Sequence, residues 1–156
     1  NVSLKGAFIY SEDDYKTGED QPQENITRTF ELGPHLFFNN RRDILTFSVA
    51  DENRNAGAPR FSYDALNASV SYYKILEKEM ELYARFKYSE RDYLGKVPLW
   101  PYNREDRRYN VYAVLSRNFL KNFFVSVTYN YINNKSNTAL YDFDKHVYGV
   151  NAGFSK

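Results

Sequence analysis

The chain of 156 residues contains two histidines, and each lies near carboxylates that could support acid-base chemistry. His35 lies on the polar side of a predicted strand with Glu31, which gives half of an acid-base pair. His146 follows Asp142 and Asp144, two of the residue types of a Ser-His-Asp arrangement, but the sequence places no serine beside them. We predict His35 near a short turn and His146 on an apolar strand side, so we interpret both as structural and expect no enzyme activity.

Two charged segments and one tryptophan could bind ligands. The acidic segment could hold a divalent cation, or bridge through one to lipopolysaccharide phosphates, but it lacks the spacing of a calcium-binding loop. Its carboxylates are Asp13, Asp14, Glu19 and Asp20. The basic segment could hold anionic headgroups, or pair locally with Glu105 and Asp106, which is our interpretation. Its members are Arg104, Arg107 and Arg108. Trp100, flanked by two prolines, could contact a partner or fold back onto the protein.

Composition excludes several classes of protein. A net charge of +1, from 21 basic and 20 acidic residues, gives no general attraction to nucleic acid. The chain has no cysteine, and two histidines cannot complete a zinc site, so we expect no metal and no cofactor. No stretch approaches eighteen apolar residues, which excludes a transmembrane helix. Composition does not change along the chain, which predicts a single domain over 1–156.

The clearest pattern lies in residues 79–89, where Leu82 and Phe86 share one side with other apolar residues, and Arg85 and Lys87 share the opposite side. This period of two predicts a β-strand with one apolar and one polar side. Such a strand extends about 35 Å, enough to cross a hydrocarbon layer at a tilt. Seven further segments alternate in the same way: 2–10, 26–38, 43–51, 65–72, 108–116, 123–131 and 141–154.

The connections between the predicted strands alternate between short turns and long polar segments. The long ones are 11–24, 52–60, 90–107 and 133–140. A soluble sandwich also has strands of period two, but its strands are shorter. Short turns at one end and long loops at the other are typical of an outer-membrane barrel. Within this pattern Asn39-Asn40 predicts a tight turn, and Pro34 predicts a bulge or the end of regular pairing.

The fold class that we predict is all-β, an eight-stranded antiparallel up-and-down transmembrane β-barrel with short periplasmic turns and long extracellular loops. Its polar side faces the lumen, its apolar side faces lipid, and aromatic belts lie at both interfaces. Eight strands enclose only enough space for side chains, so we expect the lumen charges to form a paired, hydrogen-bonded network. The predicted lumen residues are Lys5, Glu31, His35, Glu81, Arg85, Lys87, Arg108 and Lys145. The residues predicted to face lipid or form the belts are Tyr10, Phe38, Tyr72, Leu82, Phe86, Tyr88, Tyr109, Phe123, Val125, Val127, Tyr129, Tyr131, Tyr148 and Phe154.

The whole chain resembles, in topology, the small eight-stranded outer-membrane barrels of the OmpX and OmpA transmembrane-domain class. Its closing segment, 141–154, is similar to the last strand of many bacterial barrels, in which alternate aromatics end in a terminal Phe; here Ser155 and Lys156 follow Phe154. The resemblance implies a bacterial outer-membrane location. It also implies the lipid bilayer, lipopolysaccharide and the outer-membrane assembly machinery as partners.

Three functions remain open from the sequence. We expect first a membrane anchor or interaction protein with a filled lumen that displays its loops, with a protein partner held through the Lys96–Tyr102 loop. The alternative is the C-terminal portion of a larger barrel acting in transport or secretion, for which the non-terminal Phe154 is the support. An envelope enzyme is third. We also expect Arg85→Leu to destabilise the protein more than Arg104→Leu, because only Arg85 should lie away from water.

Overall fold

The computed structural model describes residues 1–16, 22–96, 100–119 and 123–154. It contains eight β-strands and three short 3₁₀ turns, and no helix among these residues is long and apolar enough to cross a membrane. The strands are β1 (Val2–Lys16), β2 (Pro22–Phe38), β3 (Asp43–Ala56), β4 (Tyr63–Ile75), β5 (Met80–Lys96), β6 (Asn103–Phe119), β7 (Phe123–Ser136) and β8 (Phe143–Phe154).

The strands form one antiparallel sheet in the order β1 to β8, each hydrogen-bonded to the next along the chain. This confirms the predicted eight antiparallel up-and-down strands. Two edges remain, because no pairing between β1 and β8 occurs in the part of the chain that the structure describes.

The strands are longer than the alternation of apolar residues predicted. Regular pairing continues through much of the four segments that we expected to be loops, since β1 reaches Lys16, β3 reaches Ala56, β5 reaches Lys96 and β7 reaches Ser136. Backbone hydrogen bonds between strands do not require an apolar side chain, so the ladder continues where both sides are polar. The connection 57–62 at that end spans six residues, and 39–42 at the opposite end spans four.

One of the two short turns described here was predicted from the sequence, and the other begins where we predicted a strand. Asn39 and Asn40 adopt φ of 49° and 56°, which confirms the predicted tight turn. Glu79, which we placed at the start of a strand, instead lies in the next turn with φ of 58°, and β5 begins at Met80.

Pairing of β2 with β3 is interrupted at Pro34, as predicted, but without a bulge, whereas pairing of β2 with β1 continues through it. Pairing of β2 with β3 stops at Leu32 and resumes at His35 in the same register. Gly33 is buried at the interruption, and a Cβ atom added there would lie 1.8 Å from the carbonyl oxygen of Phe47. The two backbones therefore approach each other as closely as only glycine allows.

The apolar side of the sheet is exposed and the polar side is more buried, which is the opposite of a soluble protein. Large apolar side chains lie exposed on one side, for example Val127 at 53% and Phe154 at 82%. The buried strand residues Ala50, Asn67 and Ser89 lie on the other side, directly across the sheet from one another. We call these the outer face and the inner face. No second layer of the described protein packs on the outer face. Its apolar side chains therefore require contact with lipid or with another apolar surface.

Candidate functional site

The inner face brings all eight predicted lumen residues to one side of the sheet. Directly paired residues of antiparallel strands point to the same side, and the pairing connects His35, Thr46, Ser71 and Arg85 across β2 to β5. The row that contains Glu31 also contains Arg108 on β6. Among the predicted lumen residues, Lys5 and Lys145 lie exposed on the two edge strands and the other six are half-buried.

The densest group of charges on the inner face lies on β5 and β6. We call it the basic cluster, and its members are Arg85, Lys87, Arg91 and Arg108. These four cations line a depression of about 260 Å³ together with neutral residues. The neutral lining residues are Ser89, Asn110, Asn130 and Ile132.

Among the described side chains, the predicted lumen residues form hydrogen bonds but not the ion pairs that we expected within their network. The ion pairs of the described side chains are Lys74–Asp43, Arg104–Asp106, Arg107–Glu90 and Lys135–Asp142. None of them includes a predicted lumen residue. The polar contacts are instead with neutral partners: Nδ1 of His35 lies 3.0 Å from the Thr46 hydroxyl, and Nε of Arg108 donates to Asn134 at 3.3 Å. The cations of the basic cluster therefore repel one another without a carboxylate between them.

The inner-face carboxylate Glu52 is held by neutral donors. The Tyr63 hydroxyl donates to Glu52 at 2.6 Å, and the Asn67 amide donates at 3.3 Å. Glu52 and Glu31 still attract Lys87, but through space and without direct contact. They reduce the positive potential of the basic cluster and do not neutralise it.

A second group, at the long-connection end, confirms the expected local pairing of Arg104 with Asp106, but both residues are buried on β6 and do not lie in a loop. Arg104 is 8% exposed and donates through Nε to Asp106, which is 1% exposed. The Arg104 guanidinium lies 4.2 Å from the ring centroid of Tyr93 and 3.5 Å from that of Tyr141. We call these four residues the rim cluster. Because they come from β5, β6 and the β7–β8 connection, they tie three parts of the rim together.

The remaining members of the basic segment lie on opposite faces. Arg107 forms an exposed pair with Glu90 across β5 and β6, and not with Glu105 as expected. Arg108 belongs to the basic cluster on the inner face.

Aromatic residues of the outer face form two groups at different levels along the strands. Near the middle of β5 to β8 the ring centroids of Tyr88 and Tyr109 are 5.2 Å apart, and those of Tyr129 and Tyr148 are 5.3 Å apart. At the short-turn end the ring centroids of Phe123 and Phe154 are 5.1 Å apart. The register places all fourteen residues predicted to face lipid on the outer face.

The other candidate residues take no part in either cluster. His146 lies exposed on the outer face, with Nδ1 3.0 Å from the Tyr129 hydroxyl. Trp100 is half-exposed, and the nearby Tyr102 hydroxyl donates to the backbone oxygen of Asn137 at 3.1 Å. The side chains of the acidic segment lie outside the described residues. Among the described residues no group of three potential metal ligands occurs.

Sequence reasoning missed Arg91 and the rim cluster. Arg91 has the same parity as Arg85 and Lys87, so continuing the strand beyond Ser89 would have found it. The burial of Arg104 has no comparable signal, because it depends on tyrosines from other elements.

Comparisons with known proteins identify the fold. No family model and no curated protein matches the chain. A solved structure that is similar is OmpTdeltaL8, a loop L8 deletion mutant of OmpT, an outer membrane protein of Vibrio cholerae, with a TM-score of 0.69 and 14% identity. The fold is that of an outer-membrane β-barrel protein. The match covers 98% of this chain and 49% of the other, so the chain spans about half the length of that structure.

Proposed function

We propose that the chain lies in the bacterial outer membrane and forms part of the wall of a barrel whose inner face lines an aqueous passage for solutes. The observation that carries this proposal is the pair of unpartnered strands, β1 and β8, at the edges of a sheet with an apolar outer face.

An unpaired strand edge is costly in a membrane. Lipid offers no hydrogen bonds to backbone groups, so spanning sheets close and leave no edge. β1 and β8 must therefore pair with each other or with further strands. The structure that this chain matches is about twice as long, which favours further strands. Because barrel diameter grows with strand number, a larger barrel would leave the inner face open to water.

The charges of the inner face support the same conclusion. In an eight-stranded barrel the interior is filled, and unpaired cations there would be expensive. The basic cluster has no ion pair with any side chain that the structure describes. Four unpaired cations are tolerable where water reaches them, as on the wall of a passage.

The second candidate is the anchor or interaction protein that the sequence suggested first. The rim cluster favours it, since it holds the long-connection end in one conformation and would present a defined surface. Direct pairing of β1 with β8 would make this function the better choice. The envelope enzyme has no supporting geometry among the described residues.

The two candidates differ in conductance. We expect the full chain, purified from membranes and inserted into a planar lipid bilayer, to give stable stepwise conductance. A second measurement uses spin labels at Ala7→Cys and Asn151→Cys, which lie on the inner face toward the short-turn end of the two edge strands. Directly paired strands lie about 5 Å apart, so a much longer separation is expected when other strands intervene. A silent bilayer together with a short separation would refute the passage and favour the anchor.

A further inference from the structure

The basic cluster has the composition of an anion site. Its depression of about 260 Å³ is lined by three arginines, one lysine and four neutral residues, with no carboxylate among them. Three arginines supply planar forks of N–H donors that fit the oxygens of phosphate or carboxylate groups.

Several donors at this depression have no hydrogen-bond partner among the described residues. Within that part of the chain, the buried Nε atoms of Arg85 and Arg91 form no hydrogen bond, and neither does the hydroxyl of Ser89, which is 2% exposed. Buried polar atoms are nearly always satisfied by protein, water or ligand. Unsatisfied donors that line one depression, among cations without ion pairs, therefore point to an acceptor that enters from solution.

The residues around the basic cluster leave its positive charge available to a ligand. The guanidinium of Arg85 lies 6.0 Å from the ring centroid of Tyr112, and that of Arg91 lies 5.0 Å from the ring centroid of Tyr63. Glu52 is occupied by the neutral donors described above. The cluster also lies on the face opposite the apolar one, so the ligand reaches it from water and not from the hydrocarbon.

We propose that the basic cluster binds a water-soluble multivalent oxyanion, a solute carrying phosphate or carboxylate groups. The inference rests on the proposed function, in which the inner face lines an aqueous passage, and it names the class of solute that this wall holds. Arg85, Arg91 and Arg108 bind the oxygens, and Lys87 adds a point charge at the same depression.

The test measures binding of inorganic pyrophosphate to the full chain in a detergent without phosphate, by calorimetry at low salt. We expect the double variant Arg85→Gln/Lys87→Gln to bind at least about tenfold more weakly, since each lost charge-assisted hydrogen bond contributes about 1.5 kcal/mol or more. The matched control Arg107→Gln removes one cation of the outer face and should leave affinity unchanged. If the double variant does not fold, Arg91→Gln and Arg108→Gln are tested singly with the same expectation.

Three results would overturn the site. They are absence of pyrophosphate binding, equal binding by wild type and the cluster variants, and binding of the short-chain lipid dihexanoyl phosphatidate without binding of pyrophosphate. The last would assign the phosphate to lipid and not to a solute. Binding in micelles does not require conduction, so the two proposals fail separately. Binding without conductance would refute the passage alone, and conductance without binding would refute the site alone.

Discussion

Replacing Arg104 by leucine should destabilise the protein strongly, although the sequence suggested a solvated position. The variant removes the cation that lies between Tyr93 and Tyr141 and leaves the Asp106 carboxylate without its ion-pair partner. Asp106 is 1% exposed, so water cannot replace the lost interaction.

The magnitude follows from burial. Removing one partner of a buried ion pair costs about 3 to 5 kcal/mol, because the other charge remains buried. The polar side chains of Ser136 and Asn134 remain beside Asp106 in the variant, which places the expected loss near the lower limit, at about 3 kcal/mol. That loss corresponds to roughly a hundredfold change in the folding equilibrium.

The chain offers two matched comparisons for Arg104→Leu. Arg107 lies on the same strand as Arg104 and pairs with Glu90 of β5. The Arg107 side chain is 66% exposed, so Arg107→Leu should have a far smaller effect on stability. Arg85 has no ion pair, and its ring contact with Tyr112 is distant, so Arg85→Leu should also cost less than Arg104→Leu. This order is the reverse of the expectation from sequence.

The measurement is urea unfolding in lipid vesicles, followed by heat-modifiable gel migration and by the fluorescence of Trp100, the single tryptophan. All three variants should unfold with the same slope and differ only in midpoint. Equal losses for Arg104→Leu and Arg107→Leu would refute the buried rim cluster. A larger loss for Arg85→Leu would restore the original expectation.

Three further substitutions test other parts of the fold by the same unfolding measurement. Gly33→Ala should prevent regular pairing of β2 with β3, because its Cβ would lie 1.8 Å from a backbone oxygen, whereas Gly6→Ala meets nothing closer than 3.8 Å and should be neutral; equal stability of the two would contradict the close approach. Val127→Lys places a charge on the exposed apolar face and should cost about 2 to 4 kcal/mol in a bilayer, while Val127→Ala should cost much less; a tolerated lysine would argue against lipid contact. Ser62→Ala removes a buried hydroxyl that accepts from the backbone N–H of Ala56 at 2.9 Å and should cost about 1 to 2 kcal/mol, against no loss for the exposed Ser11→Ala.

The alternation of residue types was sufficient to predict the strands and their two faces. Side-chain direction in a strand changes at every residue, so the parity of Leu82 and Arg85 already separated the lipid side from the polar side. Short turns favoured pairing within hairpins, and the regular alternation of short and long connections favoured the same up-and-down order for the remaining strands. The order β1 to β8 therefore followed from local pattern and connection length alone.

The sequence could not show where strands end or which charges are paired. Parity becomes uninformative where both sides are polar, so the continuation of β5 to Lys96, with Arg91 on the inner face, was missed. Ion pairing depends on register between strands. Arg107 therefore pairs with Glu90 on β5 and not with its sequence neighbour Glu105.

What the sequence determined by itself is the outer-membrane barrel fold, because alternating apolar and polar side chains over such long strands suit a sheet with lipid on one side. Only the tertiary structure decided that Arg104 is buried between two tyrosines and that, over the residues it describes, the basic cluster has no ion pair and β1 and β8 are edges. These three features depend on distances between residues far apart in the chain. Local periodicity carries no information about such distances.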